Sequence, residues 1–170
     1  MFVAVGSDST PNNGRNIAYS MDGISWTLVT ANIFSTSVSQ VAYSNSQNKW
    51  IAVGTGTVNT IAWSPDGITW TGLGLTLFST AGNGIAYSPE QNRWVAVGQG
   101  TTPIYYSTDG FTWTAAINGG ALASTAYSVV YSSSRNEWVA VGGGTNHVAT
   151  SPDGITWTGR GLLASFGAAF

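Results

Sequence analysis

Seven carboxylates, five basic side chains and one histidine are all that this 170-residue chain offers for acid–base or ionic chemistry. Glycoside hydrolysis would need two carboxylates facing each other about 5–10 Å apart. Four of the acids, Asp22, Asp66, Asp109 and Asp153, recur in one context, Ser-x-Asp-Gly-x-x-Trp, which reads as a turn. The other three, Asp8, Glu90 and Glu137, fall in separate stretches, and their spacing pairs none of them. His147 stands alone, and a single histidine defines neither a metal site nor an activated nucleophile. Cysteine is absent, which removes disulfides and thiolate ligands. Gly54-Thr55-Gly56 and Gly142-Gly143-Gly144 lack the following Lys and helix of a phosphate loop and read as strand ends. The chain is therefore expected to be no enzyme and to carry neither metal nor cofactor.

The elements that must position these residues come from a repeat. Ser20 to Trp26 recurs as Ser64 to Trp70, Ser107 to Trp113 and Ser151 to Trp157, and the Trp residues stand 44, 43 and 44 residues apart. In phase with it run Phe2 to Gly6, Trp50 to Gly54, Trp94 to Gly98 and Trp138 to Gly142. Strand-rich repeats of roughly 40–50 residues mark propeller blades. The third repeat shows four short strands, A to D: Gly84 to Ser88, Arg93 to Gly98, Pro103 to Ser107 and Phe111 to Thr114. Strand B is apolar on both faces, Trp94 and Ala96 on one, Val95 and Val97 on the other, so a neighbour must cover each face.

Turn chemistry agrees. In Ser64-Pro65-Asp66-Gly67 and Ser151-Pro152-Asp153-Gly154, Ser, Pro and Gly fill the first, second and fourth slots of a type I turn. The Asp can accept turn N–H groups while the following Trp anchors the hairpin. Asn48, Asn92 and Asn136 sit two residues before each Trp of the other hairpin, as residues tolerating positive φ do.

The fold class is thus all-β: a β-propeller of four blades, each of four antiparallel strands, in a single domain over 1–170. Its repeats run approximately 2–49, 50–93, 94–137 and 138–170. The chain starts at strand B, and Gly167-Ala168-Ala169-Phe170 aligns with Gly84-Ile85-Ala86-Tyr87, so the C-terminal strand is expected to complete the first blade. A monomeric ring follows; the alternative is a larger ring completed by self-assembly or by further sequence.

Ser-x-Asp-Gly-x-x-Trp between strands C and D resembles the Asp box of sialidase-type propellers, with each copy one residue shorter than that family's Ser-x-Asp-x-Gly-x-x-Trp. The resemblance spans the whole chain as a repeat. It implies structural roles for Asp22, Asp66, Asp109, Asp153, Trp26, Trp70, Trp113 and Trp157, on the face opposite the family's active site. A sialidase also needs an arginine cluster, which Arg15, Arg93, Arg135 and Arg160 do not form by position.

What can bind is the opposite face, made by the B–C and D–A loops. The loop from Ser7 to Asn16 is the longest and supplies Asp8, Asn12, Asn13 and Arg15; its counterparts supply Asn59, Thr102, Asn146 and His147. Neutral Asn and Thr beside aromatics suit sugar hydroxyls. The expected function is a non-catalytic binding or adhesion module, lectin-like, on a virion or cell surface. The alternative is a structural or protein-docking propeller within a larger assembly. The partner is accordingly a glycan or a protein surface. With 7% charged residues and a net charge of −2, the chain lacks the basic surface that nucleic acid requires. No apolar run is long enough for a membrane span. The N-terminus lacks the basic start and apolar core of a signal peptide, while the Ser-, Thr- and Asn-rich composition is common in extracellular and virion proteins.

Overall fold

The computed structural model describes residues 1–7 and 15–162. Among the described residues fifteen strands follow one another in repeated order. The first repeat gives β1 (Phe2–Val5), β2 (Ile17–Ser20) and β3 (Thr27–Leu28). The second gives β4 (Ser37–Ser44), β5 (Lys49–Thr55), β6 (Ile61–Ser64) and β7 (Thr71–Gly72), and the third β8 (Ala81–Ser88), β9 (Arg93–Gln99), β10 (Ile104–Ser107) and β11 (Thr114–Ala115). The fourth gives β12 (Ala126–Ser132), β13 (Glu137–Gly142), β14 (Val148–Ser151) and β15 (Thr158–Gly159), after a 3-10 turn at Gly119–Leu122. Within each repeat the strands pair antiparallel, each with the next in sequence.

Two strands differ from the sequence expectation. Strand A begins earlier, at Ala81 rather than Gly84, because a bulge lets it run on; the register shifts between Gly82 and Gly84, and likewise between Val38 and Gln40 and between Ala126 and Ser128. Asn83 thus lies in the strand. Strand D shrinks to two residues, because Phe111 to Trp113 belong to the turn. The glycine closing strand B has a steric reason: a Cβ on Gly54 would stand 2.2 Å from the Ser37 carbonyl oxygen, and on Gly98 2.3 Å from that of Ala81.

In the second and third repeats strand B does bury two faces against two neighbours. Val95 and Val97 pack with Trp138, Ala140 and Trp157 of the fourth repeat, while Trp94 and Ala96 pack with Ile51, Val53 and Phe78 on the other side. A third cluster joins the first two repeats through Val3, Val5, Ile17, Ala52, Ala62 and Trp70. Burying each such Trp, Ile or Val contributes about 1.5–3 kcal/mol, so the inter-blade cores hold the molecule together. A backbone bridge also repeats from blade to blade: Ser7 with Ser37, Thr55 with Ala81, Gln99 with Thr125.

Between the fourth and first repeats the described sheets do not close. Phe2, Trp26 and Leu28 are 55%, 47% and 47% exposed, whereas Trp94 and Trp138, at the Phe2 position of their blades, are fully buried. Val130 and Val141 on the outer face of the fourth repeat are exposed too. The strand expected at Gly167 to Phe170 lies outside the described residues. No helix among the described residues is long and apolar enough to cross a membrane.

Candidate binding site

Each of the four carboxylates of the repeated turn has one oxygen, Oδ1, held by its own turn. Asp66 Oδ1 accepts the N–H groups of Ile68 at 2.9 Å and Thr69 at 2.7 Å and the Ser64 hydroxyl at 3.0 Å. The buried Ser64 hydroxyl accepts the Gly67 N–H at 2.8 Å, and Gly67 sits at φ 70°. Asp22, Asp109 and Asp153 repeat this pattern. The N–H groups of Ile24 and Ser25 with the Ser20 hydroxyl hold Asp22 down to about 2. Burial pushes Asp109 up, but the N–H groups of Phe111 and Thr112 and the Ser107 hydroxyl outweigh it and bring it to about 2. These carboxylates stay ionised, each bound through Oδ1 to its own loop. Trp70, Trp113 and Trp157 donate their indole N–H to the turn glycine carbonyl at 3.1–3.3 Å. Trp26, the first of the series, is exposed.

On the loop face, the structure puts the predicted amides to internal use. Asn59 Nδ2 donates to the Ile33 carbonyl at 2.9 Å, and its Oδ1 accepts the Gly74 N–H at 2.9 Å. Asn146 does the same with Ala121 and Gly161, both at 2.7 Å. Both amides tie a B–C loop to the backbone around it. Thr102 stands at the equivalent place in the third repeat, half-buried, and Arg15 in the first, exposed. The His147 carbonyl accepts the Gly142 N–H at 3.0 Å. Arg15, Asn59 and Thr102 belong to three different loops, and Asn146 and His147 share a fourth. Asp8, Asn12 and Asn13 lie outside the described residues. Among the described residues no three His, Asp or Glu side chains gather where they could hold a metal ion.

A different set of residues, not singled out from sequence, joins the blades on the turn face. Gln47 reaches from the A–B turn of the second repeat into the third. Its Nε2 donates to Asn92 Oδ1 at 2.8 Å and to the Thr108 carbonyl at 2.9 Å, and its Oε1 accepts the Trp94 indole N–H at 3.0 Å. Gln91 makes the same three bonds one blade on, to Asn136 at 3.1 Å, to the Pro152 carbonyl at 2.8 Å and from Trp138 at 2.8 Å. Lys49 and Arg93 add charged donors to the carbonyls of Asp109 and Asp153. Burial lowers the Lys49 pKa while the Asp109 charge works against that shift. Each glutamine is followed by an asparagine at positive φ, the geometry expected from the sequence, and Asn48, Asn92 and Asn136 stand at φ 46°, 46° and 48°.

At the junction of the first and second repeats this clamp is different. Met1 stands where Lys49 and Arg93 stand, with its methyl against Gly67 as the Lys49 stem lies against Gly110. Beside it opens a cavity of about 430 Å³ lined by Met1, Tyr43, Asn48, Trp50, Pro65 and Asp66. Asn48, Trp50 and Pro65 are the equivalents of the three residues that grip each glutamine amide. Tyr43 donates its hydroxyl to Asn48 Oδ1 at 2.8 Å and its ring lies 4.5 Å from Trp50, tilted by 37°. The signal available in sequence was Gln at the same turn position of two repeats, with Arg135 in the fourth. Its meaning depends on knowing which blades touch.

No family model matches this chain, and no curated protein matches it in sequence. Solved structures share its fold. A GH74 enzyme from Niastella koreensis superposes with TM-score 0.61 at 21% identity, covering 94% of this chain and 24% of that one. The nidogen/laminin complex gives 0.60 at 16%, covering 88% and 54%. A structural genomics protein of unknown function from Bacteroides thetaiotaomicron VPI-5482 gives 0.59 at 12%, covering 92% and 43%. The chain spans between a quarter and about half of the length of these structures. At such identities the likeness concerns fold alone, and it makes this chain an all-β, propeller-like protein of curled antiparallel sheets.

Proposed function

We propose that this chain is a non-catalytic binding module built as a four-bladed propeller, and that its partner is a protein surface rather than a glycan. The observation that carries the reading is how its polar side chains are used. Each turn carboxylate gives one oxygen to N–H groups, and Asn59 and Asn146 bond the loop backbone, so these groups help hold the scaffold together. Among the cavities formed by the described residues, the one beside Trp50 has an aromatic wall and a few polar residues, the usual make-up of a recognition site. The ring is completed by the C-terminal segment, which supplies strand A of the first blade. Two features support this. Gly6 keeps the glycine that strand A makes necessary at Gly54, Gly98 and Gly142, although no described residue crowds it. The faces left exposed at the two ends, Phe2 with Leu28 and Val130 with Val141, are the equivalents of faces that mate at the other three junctions.

A broad glycan array tests the choice of partner. The expected result is no glycan retained above background. A defined glycan whose binding disappears when residues 8–14 are shortened would overturn the reading and restore lectin-like recognition on the loop face.

A further inference from the structure

From the loop between the third and fourth blades we infer a site of covalent self-modification: Asn118 loses its side-chain amide to the backbone nitrogen of Gly119, and the product loosens the strap that ties these two blades. The inference is independent of what the chain binds. Six Asn-Gly or Asp-Gly steps fall among the described residues, at Asp22, Asp66, Asn83, Asp109, Asn118 and Asp153. Such steps are prone to imide formation, because a following glycine shields its nitrogen least and lets the backbone turn toward the side chain. The fold ties down five of them. In each repeated turn the glycine N–H donates to the serine hydroxyl at 2.8 Å, and the carboxylate accepts the N–H groups that follow. Asn83 is half-buried in β8, and its Nδ2 donates to the Ala126 carbonyl of the next blade at 2.8 Å. Gly84 after it stands opposite Val97 in the ladder.

Asn118 is the exception. It is exposed, at φ 55° and ψ 23°, and its side chain makes no hydrogen bond among the described residues. The Gly119 N–H has only a long bond to the Ala116 carbonyl, 3.4 Å, and Gly120 beyond it has open space around it. Turning the Asn118–Gly119 peptide toward the side chain breaks that bond and the 2.9 Å bond from the Ala121 N–H to the Asn118 carbonyl, and no strand has to open. Openings of this size lie at the low end of a fold's stability range. The Gly119 nitrogen then bonds Asn118 Cγ, its proton leaves with the side-chain NH2 as ammonia, and a cyclic imide closes. Water opens the imide at either carbonyl, giving aspartate or isoaspartate and one new negative charge. Isoaspartate routes the main chain through the side-chain carbon and so adds a methylene beside Ile117. That residue is the strap: its N–H donates to the Ile155 carbonyl at 2.8 Å and its carbonyl accepts the Trp157 N–H at 3.0 Å, both in the fourth blade.

The test is tryptic mapping by mass spectrometry of the 170-residue chain after incubation at mildly alkaline pH, folded and in guanidinium chloride. Cleavage after Lys49, Arg93 and Arg135 puts Asn118 in peptide 94–135, where it is the only asparagine, and Asn83 in peptide 50–93. Each folded-state rate is divided by the rate of the same step in guanidinium, where neither has a fold to protect it. On that scale Asn83 should be slowed about ten-fold or more beyond Asn118, since it must first give up its hydrogen bond and its place in the strand. Asn118 slowed as much as Asn83 would overturn the inference. Amide hydrogen exchange reads the strap: in the converted protein the Ile117 and Trp157 amides should exchange about ten-fold faster than in fresh protein. Asn118→Gly keeps the left-handed backbone and has no amide to lose, so the same incubation should leave its exchange unchanged. An equal rise in Asn118→Gly, or no rise at Ile117 and Trp157 in fully converted protein, would overturn the link to the blade junction.

Discussion

A single aspartate in each blade does the work of a hairpin. In Ser107-Thr108-Asp109-Gly110 the hydroxyl of Ser107 and the carboxylate of Asp109 each accept backbone N–H groups, so the turn closes without a long loop. Asp109→Ala leaves those N–H groups to water or unpaired and should cost about 1–3 kcal/mol, read as a lowered thermal midpoint. The same bonds set an acid limit. Asp22 and Asp109 fold with pKa values of about 2, below the value near 3.9 of an unfolded aspartate. A depressed pKa gives stability that is full above about pH 4 and is lost as pH falls through the folded value. Acid titration of unfolding should therefore show stability declining between about pH 4 and pH 2, with the decline reduced in Asp109→Asn. These turns were legible in the sequence, because Ser, Asp and Gly at fixed offsets have one local explanation. The loop-face amides were not. Asn16, Thr60, Pro103 and His147 share no side-chain chemistry, yet each carbonyl accepts the N–H of the glycine that closes strand B. A position used through its backbone leaves no mark in residue type.

At the scale of the element, blades are joined by alternating faces and by a polar clamp. The faces followed from a period of two in strand B, and the three clusters divide Trp94 from Val95 as that period requires. The clamp was hidden, since a glutamine in a turn reads as solvated until the neighbouring blade is in place. Gln47→Ala strands the Trp94 indole N–H and the Thr108 carbonyl together. Denaturant unfolding should show a loss of about 1–3 kcal/mol, and Gln91→Ala should lose a similar amount at the next junction. The double variant should be close to additive, because the two junctions share no partner. Cooperative loss well beyond the sum would mean that the two junctions are coupled.

For the molecule as a whole, the repeat was readable from end to end, because 44-residue spacing of unlike functions is improbable without a shared unit. Closure was expected from the match of Gly167 to Phe170 with strand A, and that stretch lies outside the described residues. The most direct measurement is amide hydrogen exchange along β1, at concentrations where light scattering gives the 17.7 kDa monomer. Alternate amides of Phe2 to Val5 point toward β2 and toward the place of strand A. A closed four-bladed ring predicts that both sets exchange slowly. Protection of the β2-facing set alone, with its neighbours exchanging at the rate of free peptide, would contradict it.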